Sequence, residues 1–381
     1  MRIGIDCRTI LNPTGGERAG VGHYTYYLVK SLLKLDKKNE YVLFMDHTAK
    51  NLQEEFVQKN VSVEYFKFSE YKKYLPLAYS HILTAVEIKK HNLDIFHAPA
   101  NVIPLNYSGK SVVTIHDLAI YKHPEWFPAG QKLAVNILVP ASIKRARRVI
   151  AVSNSTKKSI LEQNNINPQK IKVVYEAGVK EKQPTLKAQQ QVLEHFGLKP
   201  SFIFYVGTLE VRKNLVRLIK AWEKVWEKSP KKFEDWQLVL AGQKGFGYQE
   251  VFKTIKNSKI SHKIRYIGYV TREEKVALLK AASIFAFPSL WEGFGIPVLE
   301  AMQFGTPVLT SKVSSLPEVV GKAAVLIDPT KINSIVLGLE TLTKNKTIQN
   351  KYRRLGQERV KEFSWTKAAR ETLKVYKEAI E

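Results

Sequence analysis

Short apolar runs bounded by turn residues recur along the whole chain and alternate with longer stretches whose apolar positions repeat at helical spacing. Arg2–Cys7 reads as a strand and Val21 to about Leu35 as a helix, with a glycine-containing loop over residues 8–20 between them. Strands are predicted next at Tyr41–Asp46, Val61–Phe66, Asp94–Ala98, Ser111–Asp117, Val149–Ser153 and Ile171–Tyr175. Residues 177–200, with Gly178, Pro184, a run of glutamines and many lysines, read as a linker holding at most one short helix. The alternation then restarts at Phe202–Gly207 and continues through Trp236–Gly242, Ile264–Val270, Ser283–Phe287, Thr306–Thr310 and Ala324–Asp328. Helices close the chain, the last of them capped by Ser364. Strands apolar on nearly every position, separated by helices, belong to parallel sheets covered on both faces. The fold class expected is therefore α/β, with two Rossmann-like, doubly wound parallel-sheet domains.

In such sheets ligands collect beyond the carboxyl ends of the strands, so the residues that follow each strand are the candidates for chemistry. The stretch Pro288-Ser-Leu-Trp-Glu-Gly-Phe-Gly-Ile-Pro-Val-Leu-Glu300 carries two carboxylates, Glu292 and Glu300, around a glycine-rich turn and a helix start marked by Pro297. Gly293 and Gly295 allow backbone to approach a ligand closely, and a helix mouth offers free NH groups and a positive dipole end. The two glutamates suit the hydroxyls of a sugar or ribose. After Phe202–Gly207 come Arg212, Lys213 and Asn214 at the start of another helix. Cations are unfavourable at a helix N-terminus unless an anion joins them, which points to a bound diphosphate. His116, at the end of the strand Ser111–Asp117, is placed for chemistry, although a lone histidine is more often structural. Cys7 is the only cysteine and reads as a buried thiol.

The pair Glu292 and Glu300, separated by seven residues within Glu-Gly-Phe-Gly-Ile-Pro-Val-Leu-Glu, resembles the paired-glutamate motif of the retaining nucleotide-sugar glycosyltransferases of family 4, which have the two-domain GT-B fold. Gly207-x4-Arg212-Lys213-Asn214 resembles that family's diphosphate-binding segment. Gly20-Val-Gly-His-Tyr-Thr25 and Thr114-Ile-His-Asp-Leu118 resemble its mannosyltransferase-like members. The resemblance spans nearly the whole chain with its motifs in order. It implies two domains facing across a cleft: residues 1–178 with a returning helix at 364–381, a linker at 179–200, and a donor domain at 201–363. It implies catalytic roles for His116, Arg212, Lys213 and Glu292. Donor contacts are implied for Gly15, Gly16, Gly207, Arg212, Lys213, Tyr269, Val270, Glu292, Gly293, Phe294, Gly295, Ile296, Glu300 and Leu316. The implied activity is transfer of a hexose, mannose from GDP-mannose before a UDP-hexose, to a glycan or lipid-linked glycan with retention of configuration.

Charge changes this picture in one respect. The chain carries 60 Lys and Arg against 35 Asp and Glu, net +25. The excess is shared, with 26 cations against 15 acids in residues 1–180 and 34 against 20 in residues 181–381. An anionic membrane surface, an acidic ligand, nucleic acid, or simply a lysine-rich solvated surface would each account for it. Nucleic acid is the least supported, because no recognition motif accompanies the charge. The tightest cluster is Lys144-Arg-Ala-Arg-Arg148. No basic-then-apolar leader and no long apolar run occurs, so the chain reads as cytoplasmic, at most peripheral on the inner membrane face. Asp-x-Asp and zinc-ligand spacings are missing, so no metal or other cofactor is expected. The glycine order of the first loop is not the dinucleotide fingerprint, which argues against a nicotinamide enzyme. A nucleotide-sugar epimerase of the same fold is the competing enzyme reading.

Overall fold

The computed structural model describes residues 1–10, 20–67, 77–179 and 181–381. It divides into two compact units, one of residues 1–122, 129–176 and 364–381, the other of residues 123–128 and 177–363.

In the first unit the strands are β1 (Arg2–Asp6), β2 (Glu40–Asp46), β3 (Val61–Phe66), β4 (Ile95–Ala98), β5 (Ser111–Ile115), β6 (Arg148–Ala151) and β7 (Ile171–Val173). They form one parallel sheet in the order β3-β2-β1-β4-β5-β6-β7. Its helices are α1 (Val21–Leu35), α2 (Leu77–Lys89), the short α3 (Ala119–Lys122), α4 (Ala129–Arg145) and α5 (Asn154–Gln163). Residues of α2 and α4, among them Ala85, Ile88, Val139 and Ile143, pack with Phe44, Phe96, Val113 and Val149 on one face of the sheet. The sequence reading of these elements agrees with the structure to within a residue or two at most ends. Ser153 caps α5 by accepting a hydrogen bond from the Thr156 amide at 3.0 Å.

The second unit opens with α6 (Leu186–His195), followed by β8 (Phe202–Val206), α7 (Leu215–Lys228), β9 (Gln237–Ala241), α8 (Tyr248–Asn257), β10 (Ile264–Gly268) and α9 (Arg272–Ala281). Then come β11 (Ile284–Phe287), α10 (Ile296–Gln303), β12 (Val308–Ser311), α11 (Leu316–Val320), β13 (Val325–Ile327), α12 (Ile332–Lys344) and α13 (Lys346–Arg359). The sheet order is β10-β9-β8-β11-β12-β13, all parallel. Helix α14 (Trp365–Ile380) returns to the first unit, where it packs on α1. Ser364 caps it through the Lys367 amide at 3.1 Å. Residues 123–128 count with the second unit, and there His123 stacks on Trp126 with ring centroids 3.9 Å apart.

Each sheet reverses its winding once, between β1 and β4 in the first and between β8 and β11 in the second. A crevice opens beyond the carboxyl ends of strands at such a reversal, because neighbouring connections leave in opposite directions. In the second unit the ends of β8 and β9 also meet closely. A Cβ added at Gly242 (φ +131°) would lie 2.0 Å from the Gly207 carbonyl oxygen, so neither loop tolerates a side chain there. Gly242→Ala is therefore expected to lower the thermal midpoint clearly, with a loss on the order of 2 kcal/mol or more from forced backbone movement. A melting curve matching wild type would contradict this close approach.

Candidate functional site

The connections leaving β8 and β11 bring the candidate residues of the second unit together. Past β8, Val211–Lys213 forms one 3-10 turn and Asn214, at φ 62°, takes the left-handed position that starts α7. The Asn214 side-chain amide donates to the carbonyls of Pro288, 3.0 Å, and Pro329, 2.7 Å, and the Leu290 amide donates to the Arg212 carbonyl at 2.7 Å. These bonds tie the arginine–lysine step to the loop that carries Glu292. From the other side, Ser314 Oγ accepts from the Glu292 amide at 3.0 Å, and Ser315 Oγ donates to the carbonyls of Glu292 and Phe294. Gly295 is held at φ +108°, and a Cβ there would come 2.9 Å from Leu316 Cδ2. Leu316 itself is fully buried.

Within this frame Lys213 Nζ lies 2.6 Å from Glu292 Oε1, and Arg212 Nη1 lies 3.1 Å from Glu292 Oε2. Arg212 Nε meets Glu210 Oε1 at 2.7 Å. Lys213 and Glu292 are both about 7 % exposed, and the ammonium sits 5.0 Å over the Phe287 ring. Burial alone would raise the Glu292 pKa, but Lys213 and Arg212 outweigh it and hold the carboxyl below its ordinary range. Lys213 moves down from its usual value, because burial and repulsion from Arg212 exceed what Glu292 returns.

This arrangement corrects an expectation. Arg212 and Lys213 are not left waiting for an external anion, since the protein's own Glu292 and Glu210 already neutralise them. Glu300 likewise has an internal cation, its Oε1 lying 2.7 Å from Lys275 Nζ. Phe294, named as a donor contact, is buried against Phe363, with ring centroids 5.8 Å apart. Ile296 begins α10, and Pro297 follows within its first turn. Tyr269 is half exposed and Val270 buried, between Gly268 at φ +77° and a capping box formed by Thr271 and Glu274. Gly293 lies in the same loop as Glu292, and Gly207 closes β8 beside Gly242.

His116 belongs to the first unit. Its Nδ1 is 3.1 Å from Glu176 Oε1 and its Nε2 is 2.8 Å from the Pro99 carbonyl oxygen, while the Tyr24 ring meets it edge-on at 4.7 Å. Both neighbours are acceptors, so the imidazolium is the form that satisfies both. Burial would lower its pKa, yet Glu176 and the Pro99 carbonyl raise it above the ordinary histidine value. His97 is its opposite, fully buried between Thr114 and Tyr376 and lowered to about 3, chiefly by burial. Gly15 and Gly16 lie outside the described residues.

The sequence reading missed Glu210, Lys275 and Glu176 as ion-pair partners and Asn214 as the anchor between loops. Glu210 stands two residues before Arg212 and was legible as a local partner. Lys275 and Glu176 come from other elements, and no local pattern points to them.

An arginine–lysine step against a glutamate thus stands at the switch point of a doubly wound sheet, in a unit of the GT-B-class fold. Comparison with known proteins agrees. Residues 188–361 match the family model described as glycosyl transferases group 1, and residues 18–177 match glycosyltransferase family 4. The O-antigen chain mannosyltransferase B of Escherichia coli is 30 % identical over 285 residues, 74 % of each chain. The chain belongs to this glycosyltransferase family. Among solved structures, sucrose-phosphate synthase from Thermosynechococcus elongatus superposes with TM-score 0.77 at 18 % identity, covering 99 % of this chain and 98 % of that one. Anabaena HepE, in complex with UDP and glucose, gives 0.72 at 18 %, covering 98 % of each.

A raised histidine pKa stabilises the fold fully below the unfolded value, about 6.5, and that contribution is lost as pH climbs through the folded value. Thermal midpoints measured from pH 5 to 9 should therefore fall on the alkaline side for wild type, and His116→Gln should remove that part of the slope. A depressed glutamate works in reverse: the Glu292 contribution is present above about pH 4.3 and disappears as pH falls through its folded value. Glu292→Ala and Glu292→Gln each leave Lys213 buried without a charged partner, a loss of about 3 to 5 kcal/mol, so both should melt well below wild type.

Proposed function

We propose that this chain is a retaining hexosyltransferase that moves mannose from GDP-mannose to a hydroxyl of a glycan or lipid-linked glycan, without a metal. The observation that carries the reading is the Arg212–Lys213 step against Glu292 at the sheet's switch point. The mannosyltransferase relative supports mannose as the sugar.

Diphosphate entering beside α7 competes with Glu292 and Glu210 for the N–H groups of Arg212 and Lys213. As the glycosidic bond breaks, negative charge grows on the leaving phosphate and these bonds strengthen. Charge-assisted bonds of about 1.5 to 3 kcal/mol each account for several powers of ten in rate when two or three act together. A Glu292 carboxylate released from its cations can hold sugar hydroxyls. Glu300, carried on α10, accepts from the ribose while Lys275 remains beside it. No unpaired carboxylate presents itself among these residues as a covalent nucleophile, which favours front-face attack with the leaving phosphate taking the acceptor's proton. His116 has both ring nitrogens engaged, so supporting the transferred sugar requires it to exchange one of those bonds for a sugar hydroxyl.

A UDP-hexose is the second donor reading, since the HepE structure holds UDP and glucose on a similar fold. A thermal-shift series with GDP, UDP, ADP and their sugars decides between them: GDP and GDP-mannose are expected to give the largest shifts. A larger response to UDP reassigns the donor, and no response to any nucleotide removes the proposal. Arg212→Ala should lower transfer about ten-fold or more through loss of one charge-assisted contact, while Lys213 still neutralises Glu292 and keeps the chain folded. Product NMR should show the donor's anomeric configuration and unchanged C2, in EDTA as without it. Inversion at C2 with no acceptor would indicate an epimerase.

A further inference from the structure

We propose that Glu210 is a positioning residue of the nucleotide site: it keeps Arg212 Nε when a diphosphate displaces Glu292, and so fixes the plane in which the guanidinium meets the departing phosphate. This deepens the transferase reading above and rests on it.

Arg212 has two carboxylate partners, and they hold different parts of it. Glu210 Oε1 lies 2.7 Å from Nε, whereas Glu292 Oε2 lies 3.1 Å from Nη1, which also donates to the Trp291 carbonyl at 3.3 Å. A guanidinium is a rigid planar fork, so a ligand can take its terminal nitrogens while Nε stays occupied. The two carboxylates also differ in what keeps them there. Glu292 stands on the connection after β11 and is held by Lys213 as well as Arg212, so a diphosphate that takes both cations removes both attachments. Glu210 is two residues from Arg212 on the same turn and moves with it.

The backbone around Glu210 is braced. Its carbonyl accepts from the Lys213 amide at 3.0 Å, and the loop after β9 runs alongside. The Leu209 amide donates to the Gln243 carbonyl at 2.8 Å, the Gly245 amide to the Leu209 carbonyl at 2.9 Å, and the Val211 amide to the Phe246 carbonyl at 3.2 Å. A Cβ at Gly245 would come 2.5 Å from Thr208 Cγ2 and 3.3 Å from Glu210 Cβ, so the two loops touch where the glutamate side chain departs. That side chain caps none of the amides of the 3-10 turn it precedes, although free amides at a helical start attract a carboxylate. It pairs with Arg212 instead. Nor is this a loose surface contact of the kind that adds little. Both side chains are 20 % exposed, at the edge of a cluster whose Lys213 and Glu292 side chains are 9 % exposed.

Two consequences separate this role from neutralisation. An arginine held at Nε has its orientation set before the phosphate arrives, so its contact strengthens with the leaving charge without reorganisation. A carboxylate that stays also repels the bound diphosphate, which weakens the hold on product. Charge and position can be removed separately, because glutamine keeps an oxygen for Nε without the charge and alanine keeps neither.

The test combines GDP binding by calorimetry with a double-mutant cycle on GDP release from GDP-mannose, using octyl mannoside as acceptor; UDP and UDP-glucose replace them if the nucleotide series selects uracil. Glu210→Ala is expected to lower kcat about ten-fold with a smaller change in KM, and to cost no more than about two-fold once Arg212 is already alanine. Glu210→Gln should keep kcat within about three-fold of wild type and bind GDP about three-fold or more tighter. It should also bind GDP more tightly than Glu210→Ala, which has the same charge and no oxygen for Nε. An equal loss from Glu210→Ala with and without Arg212, a glutamine variant as slow as the alanine one, or equal GDP affinity in the two would each overturn the proposal. If Glu210→Ala melts early, the glutamine variant decides by whether GDP binds it more tightly than wild type, and the same affinities decide if octyl mannoside is not turned over. Absence of both nucleotide binding and GDP release in wild type removes the transferase reading and this one together. Wild-type binding and release with an additive cycle strikes Glu210 alone.

Discussion

The second unit is organised by one buried charge cluster. Glu292 reaches across the sheet's switch point from the β11 connection to Lys213 and Arg212 on the β8 connection, 2.6 and 3.1 Å away. Buried charges persist only when paired and hydrogen-bonded, so this contact obliges both loops to keep their shapes. The left-handed Asn214, the positive φ of Gly295 and the Ser314–Ser315 hydroxyls all serve that requirement. Because the cluster is neutralised from within, the fold avoids the cost of two unmatched cations. The same cations stay within reach of any ligand able to outcompete a carboxylate.

Exchange of partners is thus the property the site offers chemistry. A carboxylate is a single charge held on a tether, whereas a departing diphosphate gains charge during the reaction. Cations that are shared rather than saturated respond most when that charge appears. The Lys275–Glu300 pair repeats the pattern between α9 and α10. In the first unit the His116–Glu176 contact is of the same kind, holding the end of β5 to the last residue before the chain passes into the second unit.

Much of the fold was legible in the chain. Apolar runs located the strands, and Ser364 announced the start of the last helix, which the structure bears out as a cap. Parallel strands are buried on both faces, which leaves a strong local signature. Arg212, Lys213, Glu292 and Glu300 could also be picked out, since each stands next to glycine or a helix start in a recognisable order. Their pairing could not. Lys213 and Glu292 are separated by many residues and three strands, and only the order β8-β11 makes them neighbours.

Local composition and order, then, determined the class of fold, the positions of most elements and the identity of the chemical groups. These depend on propensity, periodicity and capping over a few residues, which a linear reading captures. The tertiary structure alone decided that the candidate cations are matched by internal carboxylates, that Phe294 turns its ring inward, and that His116 is held between Glu176 and Pro99. It also assembled Lys144, Arg147 and Lys170 into one cavity. Charge pairing and burial act between segments brought close by sheet topology, and distance in space is not written in distance along the chain.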